Sequence, residues 1–217
     1  EFSAAVFDPL AGLVETVVEP ILVAPEVTAE ITGLTLDLSS SSASQIREGT
    51  DLNDDIRTGS GDDTIMPRGG SDFVDGGGGS DTIGYSTNLD VGITIDLNAG
   101  SAFGFGYLAS FVNFENATGS VFFDTLLGDS GSNVLRGLAG SDILEGRGGA
   151  DTLIGGTGDD IYVLADTFDT ITESAGQGTD EVRSTVPYTL ASNLENLTLS
   201  GTANINAIGN AESNVII

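Results

Sequence analysis

The sequence contains no cysteine, no histidine and no lysine. Without cysteine, neither a disulfide nor a thiolate metal site can form, which accords with secretion without disulfide formation. Zinc loses its usual nitrogen and sulfur ligands. Most acyl-transfer and Schiff-base mechanisms lose their nucleophile or base, and no G-x-S-x-G elbow occurs. Positive charge is confined to six arginines, Arg47, Arg57, Arg68, Arg136, Arg147 and Arg183, against 33 acidic residues, for a net charge of −27. Nucleic acid is excluded as a partner, because binding it needs clustered basic residues. No window of 18 uninterrupted apolar residues exists, so no membrane span is expected, and no signal-peptide pattern is present.

What the chain has is glycine, 31 residues of it, in a fixed period. Residues 49–84 divide into four units of nine that begin at Gly49, Thr58, Pro67 and Gly76. The sixth place is always aspartate (Asp54, Asp63, Asp72, Asp81), and the eighth is always β-branched and aliphatic (Ile56, Ile65, Val74, Ile83). Six residues make a turn and three make a short strand. The glycines permit φ > 0 and let backbone carbonyls converge, while the eighth residue points into the coil as its one regular core side chain. Two units complete one coil, so each unit stacks on the one two places along, at the strand spacing of about 4.8 Å. Carboxylates stacked that closely repel by about 3 kcal/mol at an effective dielectric of 20. A hard cation with six to eight oxygen ligands removes the repulsion, and calcium suits this better than magnesium, which keeps its waters.

A second run spans residues 119–163. Its sixth places are Asp124, Asn133, Asp142, Asp151 and Asp160, and its eighth places are Leu126, Leu135, Leu144, Leu153 and Tyr162. Phe122 and Phe123 make its first unit irregular, and Tyr162, too large to recur in a narrow coil, is expected near the run's end. Between the runs, residues 85–118 carry an alternating strand, Val91–Leu97, and the aromatics Phe103, Phe105, Tyr107, Phe111 and Phe114, expected as core sealing a roll end. A carbohydrate platform is the alternative.

Residues 1–30 read as an acidic, proline-containing linker with a short helix from Asp8-Pro9, its apolar places at Leu10, Leu13, Val17 and Val18. Residues 31–48 read as an entry strand through Leu34, Leu36 and Leu38 followed by a serine loop. Residues 164–217 read as a β segment with strands at 170–172, 181–183 and 197–199. A third, Asn-type roll begins at Gly201, with Asn206 and Asn214 at place six, and is expected to stack through side-chain amides without holding calcium. Asn113-Phe-Glu-Asn116 and Asn193-Leu-Glu-Asn196 form a second-order repeat, each ahead of a new run. The pattern is cut at Ile217, so a piece of a longer protein is expected. An EF-hand reading of Asp51–Asp55 fails, because Ile56 stands where glycine is needed.

The pattern G-G-x-G-x-D-x-U-x, held in phase over several units, resembles the RTX (repeats-in-toxin, haemolysin-type) calcium-binding family. The resemblance implies an all-β fold, a calcium-stabilised parallel β-roll (a right-handed solenoid) in two runs with intervening β segments. It also implies a ligand scheme: carbonyls of places two and four plus the aspartate from one turn, and carbonyls of places one and three plus the aspartate from the turn two units on. Carried onto this chain, Thr50, Leu52 and Asp54 meet Pro67, Gly69 and Asp72, and Gly59, Gly61 and Asp63 meet Gly76, Gly78 and Asp81. In the second run, Ser120, Phe122 and Asp124 meet Gly137, Ala139 and Asp142. Asp129, Gly131 and Asn133 meet Gly146, Gly148 and Asp151, and Leu138, Gly140 and Asp142 meet Gly155, Thr157 and Asp160. Roughly five or more calcium ions follow. Leu52 and Phe122 depart from the pattern at the first site of each run, and Asn133 removes one charge from the fourth.

The function expected is a non-enzymatic calcium-binding module of a larger secreted protein. It is unfolded in a calcium-poor cytosol and folds on calcium after export, because an ion that binds only the folded state stabilises it. The resemblance implies type I secretion from a Gram-negative bacterium to the extracellular space or cell surface, as a monomer. A glycosidase carboxylate pair is set aside because every conspicuous aspartate already has a calcium role. The alternatives are a surface-layer or adhesin module with a cell-surface or glycan partner, and the non-catalytic tail of a secreted hydrolase.

Overall fold

The computed structural model describes residues 33–85, 91–104, 106–200 and 205–217, together with the backbone of Ala5–Phe7 and Val14–Thr16. No helix forms among the described residues; every regular element is a strand. Val14–Thr16, inside the stretch whose spacing suits a helix, pairs antiparallel with Ala5–Phe7 instead. β-branched residues there favour an extended chain. Asp8, Leu10, Leu13, Val17 and Val18 of the expected helix lie outside the described residues.

The three-residue strands expected at places seven to nine all form. Asp55–Arg57, Thr64–Met66 and Thr82–Gly84 do so in the first run, and Thr125–Leu127 and Ile143–Glu145 in the second. Pairing is parallel and skips one unit: Ile65 lies beside Ile83, and Leu126 beside Leu144. Alternate units therefore build opposite walls, one a twelve-stranded sheet and the other a seven-stranded sheet. The eighth-place residues from Ile56 to Tyr162 are fully buried between the walls. Burying each contributes about 1.5–3 kcal/mol. One such side chain per nine residues is a thin core for so much ordered backbone.

The two runs form one continuous solenoid, and the interruption is built into its wall. Thr94–Asp96, Ser101–Gly104 and Tyr107–Val112 fold as an antiparallel meander. Its outer strands pair parallel with Thr125–Leu127 of the second run and Gly70–Asp75 of the first. In the opposite wall one strand, Asn116–Thr118, bridges Thr82–Gly84 and Val134–Ala139. There is thus no roll end to seal at this point. Phe111 and Phe114 pack edge to face, with ring centres 5.5 Å apart, inside the shared core, while Phe103 is exposed. Phe105 lies outside the described residues.

The solenoid also runs past the second run. Tyr162, expected near an end, is followed in its own sheet by Val182, Leu197 and Ile216. The ring fits because its hydroxyl leaves the core, where it accepts from Gly155 N at 2.7 Å and donates to Glu173. In the Asn-type stretch, the Asn214 amide donates to Leu194 O at 3.1 Å and that of Asn210 to Leu194 O at 2.8 Å.

Candidate metal centre

The sixth-place side chains form two ladders along the solenoid. Within each run a carboxylate accepts a hydrogen bond from the backbone N–H of the sixth-place residue one coil earlier, while Asp54, Asp63 and Asp124, at the start of a run, accept from Leu34 N, Gln45 N and Ile93 N. Asp54 N donates to Asp72 Oδ1 at 2.9 Å, and Asp63 N to Asp81 Oδ1 at 2.7 Å. Asp124 N donates to Asp142, Asn133 N to Asp151 and Asp142 N to Asp160, at 2.7–2.8 Å. One oxygen of each carboxylate is fixed in this way. The second oxygen separates the turns into two kinds.

In six turns of the two runs it has no partner. Oδ2 of Asp63, Asp72, Asp81, Asp142, Asp151 and Asp160 is buried without a hydrogen bond. An unpaired buried carboxylate oxygen is costly, and burial is the leading cause that raises five of these acids. Asp142 is pushed up to about 8, and Asp72, Asp81 and Asp160 to about 6, with neighbouring carboxylates adding to each shift. Asp151 is raised too, chiefly by burial.

In the other turns the chain satisfies the oxygen itself. Thr50 N donates to Asp54 Oδ2 and Ser120 N to Asp124 Oδ2, both at 2.5 Å, and the Thr50 and Ser120 hydroxyls add bonds of 2.9 Å to each Oδ1. Asp129 N donates to Asn133 Oδ1 at 2.9 Å. Backbone conformation follows the division in every turn of the two runs except that of Asp63, whose Oδ2 is free although Gly59 and Gly61 are not left-handed. Places two and four are left-handed in the units that begin at 67, 76, 137, 146 and 155, through Arg68 and Gly70, Gly77 and Gly79, Leu138 and Gly140, Arg147 and Gly149, and Gly156 and Gly158. Thr50, Leu52, Ser120, Phe122 and Asp129 are not left-handed, and there the place-two N–H turns in to the sixth-place side chain, Asp54, Asp124 or Asn133. Leu52 and Phe122 replace the glycines that would accept the left-handed conformation.

Several backbone oxygens of the sequence-derived ligand scheme stand at the same gaps. A Cβ on Gly79 would strike Gly61 O, one on Gly140 would strike Phe122 O, and one on Gly158 would strike Gly140 O. Carbonyls of place four thus face the next coil. Leu52 O faces Gly70, Gly131 O faces Gly149, and Leu138 O faces Gly156. At place one, a Cβ on Gly137 would strike both Asp142 Oδ2 and Gly155 O, so the carboxylate, the missing Cβ and the next coil's carbonyl share one small space. Pro67 O and Gly146 O stand likewise beside Gly49 and Gly128, while Gly76 and Gly119 pack against Asp81 and Asp124. Four carbonyls of the scheme already accept backbone bonds: Thr50 O from Gly69 N, Gly59 O from Gly78 N, Asp129 O from Gly148 N and Thr157 O from Gly140 N.

Of the five pairings, two keep a free oxygen on both aspartates, Asp63 with Asp81 and Asp142 with Asp160. The pairings led by Asp54, Asp124 and Asn133 keep one. The donor set, carboxylate and carbonyl oxygen in small gaps that a Cβ would fill, fits a hard cation such as calcium. No nitrogen or sulfur ligand stands in any gap.

Several acids of the ladders escape a count by nines that stops at 163. Asp169 accepts from Asp151 N at 3.1 Å, and Ile171 is in core register with Leu153. Residues 164–172 are therefore another unit in phase. Asp180 accepts from Asp160 N at 2.8 Å, twenty residues on instead of eighteen. Two inserted residues, Glu173 and Ser174, hide a unit that runs Gly176, Gly178, Asp180, Val182. Glu115 and Glu195 take the next rung, accepting from Asp81 N and Asp180 N at 2.8 Å. They are the glutamates of the two Asn-x-Glu-Asn motifs, whose first asparagines, Asn113 and Asn193, are both left-handed.

A family model of the RTX calcium-binding nonapeptide repeat matches residues 48–83, 118–153 and 127–162. A stretch of 58 residues, 27% of the chain, is 42% identical to the Endo-1,3-1,4-beta-glycanase ExsH of Rhizobium meliloti and covers 12% of that protein's length. The buried aspartate ladder and the matched repeats coincide in sequence and in space: over residues 48–83 and 118–162 the chain is an array of RTX calcium-binding nonapeptide repeats.

Proposed function

We propose that the chain is a calcium-operated folding module, disordered where calcium is scarce and folded into its solenoid on reaching an extracellular calcium concentration. The observation that carries this reading is the set of seven buried aspartate oxygens with no partner, the six of the two runs and Asp169 Oδ2. A fold that relied on its aspartates only as turn formers would satisfy them, as it does at Asp54 and Asp124 through Thr50 and Ser120.

Asp63 and Asp81, with the carbonyls of Gly59, Gly61, Gly76 and Gly78, would hold one ion. Asp142 and Asp160, with Leu138, Gly140, Gly155 and Thr157, would hold another. Asp72, Asp142 and Asp151 anchor the remaining three sites, with weaker support from the self-bonded Asp54, Asp124 and Asn133. A bound calcium supplies the positive charge that the stacked carboxylates lack. The chain's own part is to hold each carboxylate by its Oδ1 so that Oδ2 faces the neighbouring coil's carbonyls. Extracellular modules bind calcium at about 10⁻⁴–10⁻³ M, which sets the switch at the cell boundary.

The RTX repeats support a place outside the cell for the parent protein, and type I secretion is the export route we infer. The 58-residue likeness to a glycanase favours a second reading of the same module, as the non-catalytic tail of a secreted hydrolase. Limited proteolysis tests the folding switch. The chain should be cut throughout in chelator and protected over residues 33–200 in millimolar calcium. Equal protection in both conditions would refute it.

A further inference from the structure

Beyond the matched repeats, the two-residue insertion that shifts the phase places a third acid between two rungs of a ladder. Asp160, Glu173 and Asp180 each offer an oxygen, and the three oxygens lie within 4.8 Å of one another. Asp160 is 1% exposed, and its Oδ2 has no hydrogen-bond partner; Glu173 Oε2 is likewise buried and unpartnered. The Asp160 oxygen and the Glu173 side chain flank one space. A Cβ on Gly155 would strike Asp160 Oδ2 and come within 2.5 Å of the Tyr162 hydroxyl, which is the group that donates to Glu173.

The glutamate is held there from several sides. The Asn193 amide donates to Glu173 O at 2.9 Å, and the Gln177 side chain accepts from Ser174 N at 2.8 Å. Asp180 is tied to the ladder by Asp160 N and, through its own N–H, to Glu195. Burial raises all three acids, Asp160 to about 6 and Asp180 to about 7, and the Glu173 charge adds to the shift of both.

We propose that Asp160, Glu173 and Asp180 form a further cation site, in which Glu173 of the insertion joins two rungs of the ladder, that takes a hard divalent ion of the calcium class. Three carboxylates and no nitrogen or sulfur ligand select such an ion. The site rests on the reading that carboxylate gaps in this solenoid hold calcium, but it differs from the repeat sites in formal charge. It offers three acids where a repeat pair offers two, and ligand charge raises affinity. It therefore fills first as calcium rises and orders the insertion against the last turn of the second run.

The test uses the whole chain. It contains no tryptophan, so terbium, a luminescent stand-in for calcium, is sensitised by tyrosine alone, and Tyr162 touches a proposed ligand. The first equivalent of terbium should give tyrosine-sensitised emission that Tyr162→Phe abolishes. In calcium calorimetry Glu173→Gln should lose the tightest ion, or weaken it by about tenfold or more, and keep the others. The site is overturned if Glu173→Gln, with normal circular dichroism at saturating calcium, binds the same number of ions as tightly. It is equally overturned if first-equivalent emission survives in Tyr162→Phe, a readout that stands even where Glu173→Gln fails to fold. A wild-type chain that takes up a single, Glu173-dependent ion refutes the repeat-ladder reading and leaves this site standing. Several ions, none of them sensitive to Glu173, do the reverse.

Discussion

Replacing Asp142 by asparagine separates the cost of the ladder from its use. Asp142 is fully buried, takes a bond from Asp124 N on one oxygen and leaves the other unpaired. Burial first, then the charges of Asp124 and Asp160, push its carboxyl from 3.8 up to about 8. The folded chain therefore keeps this proton over a pH range in which the unfolded chain has lost it. The stability of the cation-free fold is full below about pH 3.8 and falls as pH rises toward 8. By pH 7 the loss spans about three pH units at roughly 1.4 kcal/mol each, or ~4 kcal/mol. Asparagine carries no such cost. An acceptor for its amide stands close by, since Gly155 O shares with Asp142 Oδ2 the space beside Gly137. Asparagines at the same place already donate to a neighbouring coil, Asn133 to Glu115 O at 2.8 Å and Asn214 to Leu194 O at 3.1 Å. Asp142→Asn should thus stabilise the chain in chelator at pH 7 by up to ~4 kcal/mol and by less than half of that at pH 5. It should also reduce the stability gained from calcium, because two proposed sites share this carboxylate. Urea unfolding followed by circular dichroism, in chelator and in millimolar calcium at both pH values, measures all of these. A variant less stable than wild type in chelator at pH 7, with an undiminished calcium increment, would refute the reasoning.

Neighbouring glycines give a sharper structural contrast. Gly79 is left-handed and its missing Cβ faces Gly61 O, whereas a Cβ on Gly78 meets nothing within 4 Å. Gly79→Ala should cost ~2 kcal/mol or more of thermal stability in saturating calcium, and Gly78→Ala within about 0.5 kcal/mol. Leu144→Ala empties a fully buried core place and should cost about 2–5 kcal/mol, read as a lower melting temperature in calcium. Because burial raises Asp72, Asp81 and Asp160 to about 6 and Asp142 to about 8, calcium must displace protons. Calorimetry in buffers of different ionisation heat should show proton release at pH 6 that falls off above pH 8, with calcium affinity declining as pH drops.

The nine-residue count made the core and most of the ladder legible, because one aliphatic side chain and one aspartate per turn leave no other periodic assignment. Leu52, Phe122 and Asn133 also marked the weaker turns, although the means of closure there, the Thr50 and Ser120 N–H and hydroxyl groups, lies in backbone dihedrals that the pattern does not encode. The solenoid's extent was less legible. Residues 164–172 keep place six and place eight but carry no glycine, and the unit ending at Arg183 is displaced by the two inserted residues. The meander at 94–112 read as a cap on a roll end, since aromatic residues suit a cap as well as a wall. Only the pairing of its outer strands with both runs distinguishes the two. The Asn-x-Glu-Asn repeat was visible, but its glutamate's place on the ladder depends on contacts from 15 to 34 residues away.

The most direct test of the account is a calcium titration of the chain from chelator, followed by far-UV circular dichroism with magnesium as control. A cooperative coil-to-β transition with calcium and none with magnesium is the predicted result. A chain that is β-rich in chelator and unchanged by calcium would contradict the account, and would mean that the aspartate ladder is carried by the fold without a cation.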